Sequence, residues 1–93
     1  MATAMCVDYA KALRMVRVAR GLSQKNVASR AKISANYLSL IEASARNPST
    51  DVVQQIAGAL DVPVWVVVVL GSDEAQVPRE VRVVALERMM RMV

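Results

Sequence analysis

The chain has 93 residues, 55% of them apolar, a net charge of +4, no histidine, one cysteine and three glycines. Such a length makes one small domain around one core, and the apolar share excludes a disordered chain. The parts of a Cys-His nucleophile, a zinc site and a Gly-rich phosphate cradle are missing, so the expectation is a protein that is not an enzyme and needs no metal and no cofactor. Cys6 has no second cysteine to pair with, and residues 1–10 lack the charged and apolar regions of a secretory signal. The longest apolar run, residues 62–70, is nine residues, against the ~20 of a membrane span. A cytoplasmic protein with no membrane contact is expected. Apolar residues in excess of what so small a domain can bury also predict a homodimer.

The elements follow in chain order. Residues 8–20 read as a first helix, with Asp8 as N-cap, Gly21 as stop, and Ala12, Leu13, Val16 and Ala19 facing inward. Ser23 caps a two-turn helix over residues 24–31 with an apolar stripe of Val27, Ala28 and Ala31. After only Lys32 and Ile33, Ser34 caps a third helix over residues 35–43, with Leu38 and Ile41 inward and Ala35, Asn36 and Ser39 outward. Two short helices joined so tightly must cross steeply, which makes residues 23–43 a helix-turn-helix by geometry. Ser49 or Thr50 caps a fourth helix running to Leu60, with Asp51 in its first turn, where the helix dipole favours an anion. Residues 62–70 have strand composition, yet Pro63 stands where a first-turn helical proline would, and a fifth helix is the favoured reading. A loop over residues 71–77 leads to a last amphipathic helix from Pro78, on which Val83, Leu86, Met90 and Val93 repeat at heptad-like spacing.

Charge divides along the chain. Residues 1–46 carry eight Lys and Arg against two acidic residues, a net +6, whereas residues 47–93 carry four against six, a net −2. The basic half therefore faces something anionic, and it coincides with the helix-turn-helix.

The residues Arg20-Gly-Leu-Ser-Gln24, Val27-Ala28, Ile33-Ser34, Tyr37-Leu-Ser39, Ile41-Glu42, Arg46-Asn-Pro-Ser49, Ile56-Ala57 and Ala59-Leu60 run in register through four helices and their caps. This pattern resembles the phage repressor/Cro (xenobiotic-response-element, XRE, type) DNA-binding domain, over about residues 13–70. The resemblance implies an all-α fold, a five-helix repressor-like helix-turn-helix domain over residues 8–70; the additional C-terminal helix within residues 71–93 lies beyond the resemblance and rests on the residue pattern alone. It implies that the third helix lies in the major groove of double-stranded DNA. The matching base-contacting positions are Ala35, Asn36, Ser39 and Leu40: Asn36 pairs with adenine, while Ala35 and Leu40 pack on thymine methyls. Ser23, Gln24, Lys25, Lys32, Tyr37, Arg46 and Asn47 would contact the DNA backbone, Gln24 with the help of the helix N-terminus behind it. Arg17 and Glu42 match a structural ion pair. The pattern departs from the family at Lys32, Ala43-Ser44 and Asp61, where glycine is usual; a positive φ there costs a non-glycine residue about 1 kcal/mol.

The reading is a sequence-specific transcriptional regulator, a repressor binding a palindromic operator as a homodimer through Val83, Leu86, Met90 and Val93. A controller protein of a restriction-modification operon is one variant of it. The competing reading is an antitoxin-like or scaffold protein that binds an unknown protein partner through residues 62–93, with DNA binding as autoregulation.

Overall fold

The computed structural model describes residues 7–91, which leaves Cys6 and Val93 outside the described residues. Six helices follow one another: α1 (Tyr9–Ala19), α2 (Gln24–Ala31), α3 (Ala35–Glu42), α4 (Thr50–Ala59), α5 (Val64–Gly71) and α6 (Arg79–Met90), with one turn of 3-10 helix at Glu74–Gln76 before α6. The ambiguous valine run is thus a helix. Among the described residues there is no strand, and no single helix is long and apolar enough to cross a membrane.

The first four helices begin alike. Asp8 Oδ1 accepts from the Lys11 amide at 3.0 Å, and the hydroxyls of Ser23, Ser34 and Ser49 accept from Asn26, Tyr37 and Val52 at 3.0, 3.0 and 3.2 Å. Each supplies an acceptor to a first-turn amide that has no carbonyl behind it. They also end alike. After α1 to α4 the chain passes through one left-handed residue, Gly21, Lys32, Ser44 and Asp61, with φ of 68, 61, 61 and 59°. The next amide then returns to the carbonyl five residues back: Leu22 to Arg17, Ile33 to Ala28, Ala45 to Leu40 and Val62 to Ala57. This is the Schellman closure, and three of its four left-handed positions are held by a side chain where glycine is easier.

Packing centres on α1, which touches α3, α4, α5 and α6, while α2 rests on α3 and α4. The largest fully buried side chains are Leu13, Leu38, Ile41, Ile56, Leu60 and Leu70, joined by Val16, Val27, Val66 and Val67. Ala19, expected to face inward, is exposed at the last turn of α1. Pro63 stands one residue outside α5, at φ −64° and ψ 150°, and not in its first turn; Pro78 precedes α6 in the same way.

The C-terminal helix departs most from expectation. Read from the sequence for its outward dimerisation stripe, it also packs along α5 and reaches α1 within its own subunit, burying Ala85 and Met89. Polar bonds fix its course: Arg82 Nη2 donates to the Ser72 carbonyl at 2.8 Å, and Arg20 Nη2 to the Arg88 carbonyl at 3.1 Å. Val83, Leu86 and Met90 lie outside this contact and are exposed, Met90 by 65%. Gly71 completes the junction, its carbonyl accepting from the Asp8 amide at 2.7 Å.

Candidate nucleic-acid interface

The tight link between α2 and α3 sets the geometry of the basic half. Lys32 in its left-handed conformation turns the chain and Ser34 restarts it, so that α3 projects one face outward while Leu38 and Ile41 hold the other in the core. Ala35, Asn36, Ser39 and Leu40 all lie on the outward arc and are exposed; Tyr37 is half-buried and packs against the core. A helix presenting such a strip has the width to enter a major groove. Asn36 is the one primary amide on it.

The segments before and after α3 carry exposed polar and cationic side chains. Lys25 on the first turn of α2, Lys32 in the turn, and Arg46 and Asn47 after α3 are exposed, as is Ser23 at the α2 cap. The Arg46 amide returns to the Leu40 carbonyl at 3.3 Å, which keeps this residue close to the end of α3.

Beneath the strip lies a polar node. Glu42 is buried, and its carboxylate accepts from Arg17 Nε at 2.8 Å, Arg17 Nη2 at 2.9 Å and Gln24 Nε2 at 3.1 Å. Arg17 Nη1 also donates to the Leu22 carbonyl at 2.9 Å. One carboxylate therefore ties α1, α2 and α3 together, and the two-pronged guanidinium contact fixes direction as well as distance. The share of Gln24 in this node was not legible in the sequence, where the residue was read only for the backbone of DNA. One of its amide hydrogens is committed to Glu42, and the primary amide keeps a second. Arg14, which the sequence offers only as one of the charges of the basic half, lines a groove with Arg17, Gln24, Ser39, Glu42 and Ala43.

The helix-turn-helix family model matches residues 13–64, more than half of the chain. The chain belongs to the XRE-type helix-turn-helix family of DNA-binding transcriptional regulators. It is 35% identical over 57 residues to the transcriptional regulator ClgR of Mycobacterium tuberculosis, in two strains, a match covering 61% of this chain and 51% of ClgR; the chain thus spans about half the length of the curated relatives it matches. Among solved structures it is similar to the restriction-modification controller protein C.AhdI from Aeromonas hydrophila, at 32% identity and a TM-score of 0.61, over 63% of this chain and 89% of that one. The hypothetical transcription factor NHTF from Neisseria shares the fold at 20% identity and a TM-score of 0.65, over 89% of this chain and 93% of its own.

Proposed function

We propose that the chain is a transcriptional repressor that binds a two-fold operator as a homodimer, with α3 in the major groove. The observation that carries this is the exposed outward strip of α3, with exposed Lys25, Lys32, Arg46 and Asn47 on the segments that lead into and out of that helix. In this reading Asn36 reads a base edge, Ala35, Ser39 and Leu40 pack beside it, and Ser23, Gln24, Tyr37 and the cations grip phosphates. Arg17 and Glu42 hold the frame. Repression follows from occupying a promoter by bulk alone. The likeness to C.AhdI favours a controller protein as one form of this regulator.

Dimerisation is assigned to the exposed stripe of Val83, Leu86 and Met90, continued by Val93 in sequence. A two-fold pairing there sets two α3 helices about one DNA turn apart, roughly 34 Å. Selection of bound duplexes from a random pool tests the reading: it should return two inverted half-sites at that spacing. Leu86→Glu with Met90→Glu should give folded monomers that have lost most operator affinity. A chain that selects no sequence, or a single unrepeated site, would overturn the two-fold operator.

A further inference from the structure

Arg20 ends α1 with its side chain reaching α6. Its Nη2 donates to the Arg88 carbonyl at 3.1 Å and, at the longer distance of 3.4 Å, to that of Asp61. Its Nε is buried and has no acceptor among the described residues. Arg88 and Arg91, both exposed, line with Arg20 and Asp61 a cleft of about 310 Å3. Among the described residues the one ion pair is Arg17 with Glu42, so the Asp61 carboxylate, although Asp61 lines the same cleft, forms a close ion pair with none of these three guanidinium groups.

Three like charges drawn to one cleft from opposite ends of the chain form an arrangement that an anion completes. We propose that this cleft is a receptor for a phosphate-type dianion. Guanidinium groups suit that ligand, since their planar forks match two phosphate oxygens at once. The carbonyl of Arg88, which would otherwise turn a partial negative charge on the ligand, is already covered by Arg20 Nη2. Binding would join the end of α1, the turn at Asp61 and the end of α6. Because Ser23 and Gln24 follow Arg20 closely at the start of α2, the phosphate has two sources: the DNA backbone flanking the operator, or a free phosphate-bearing small molecule.

The test follows the Arg20 Nε–Hε resonance by 1H–15N NMR as inorganic phosphate is added at constant ionic strength. Alongside it, duplex affinity is measured with short and long flanks, for the wild type and for Arg88→Gln/Arg91→Gln, whose exposed positions leave the fold intact. A saturable shift that the variant weakens by about tenfold or more, with duplex affinity unchanged, identifies free phosphate. Weaker binding of the variant to long-flank duplexes alone, with a log K against log salt slope shallower by about 0.9 per lost contact, identifies the DNA backbone. No saturable shift, or one that chloride reproduces, together with unchanged affinity and slope, overturns the proposal. Should the wild type bind no duplex, the regulator reading fails, while the phosphate titration still decides the cleft.

Discussion

The helix-turn-helix half and the C-terminal helix hold their positions by different means. Every helix from α1 to α4 starts on a side-chain cap and stops in a Schellman closure, so its ends are set by bonds spanning three to five residues. Neither α5 nor α6 has a side-chain cap; each follows a proline. What places them are bonds across the fold, Asp8 to Gly71, Arg20 to Arg88 and Arg82 to Ser72, together with burial of Ala85 and Met89. Local chemistry thus fixes the half that would meet DNA, and tertiary chemistry fixes the half that would meet a second subunit. Long-range polar ties add to this in the first half as well: the Glu42 node binds three helices at one point, and Gln55 Nε2 donates to the Ala31 carbonyl at 3.1 Å, tying α4 to the end of α2.

That contrast can be broken most forcefully at the node. Glu42→Ala strands a largely buried guanidinium and should destabilise the fold by about 3–5 kcal/mol in urea titration, whereas Arg17→Met with Glu42→Leu should be far milder. A smaller change by Glu42→Ala than by the double substitution would deny the node its role. In the C-terminal half, a Cβ on Gly71 would lie 2.7 Å from the Asp8 carbonyl oxygen and 2.9 Å from Val7 Cγ1. The first of these is backbone, so Gly71→Ala should cost about 1–3 kcal/mol by thermal unfolding and loosen the α1–α5 junction, which faster amide exchange at Asp8 would report.

The interface face separates two kinds of contact. Asn36→Ala should relax discrimination at one base pair per half-site, by roughly 1–3 kcal/mol for the preferred base, whereas Lys32→Ala should weaken all sequences alike and flatten the salt dependence. A panel of substituted operators distinguishes them. The smallest effect sharpens the account of local encoding: Ser44→Gly and Asp61→Gly should each stabilise by up to about 1 kcal/mol, because glycine takes positive φ without strain. Lys32→Gly should gain stability likewise while losing duplex affinity, a pair of opposite signs measurable in one preparation.

The helix ends in the first half were legible because serine or aspartate caps, the stops and the departures from glycine are all local marks; Asp8, Ser23, Ser34 and Ser49 cap where the sequence placed them. Of the candidate site, the exposed strip on α3 followed from helical spacing around Leu38 and Ile41. Gln24 was only half legible, because its second partner, Glu42, meets it through the crossing of α2 and α3. Arg20 was counted with the basic half, although part of its guanidinium serves the carbonyls of Asp61 and Arg88. The inward side of α6 escaped notice for a different reason. Val81, Val83, Val84, Leu86 and Met90 leave the helix apolar on several sides, so periodicity selects no face and the partner helix decides.

The Glu42 node has a mechanical consequence. Since α1, α2 and α3 are clamped to one carboxylate, the exposed face of α3 travels with α1 and α2, and bending between them would break three hydrogen bonds at once. In a dimer joined through α6, which the Arg20–Arg88 and Arg82–Ser72 bonds hold on its own domain, accommodation of a base pair inserted between half-sites would fall to the contact between the two α6 helices. Operator spacing and operator sequence would then be adjustable independently, by changes in separate stretches of the chain.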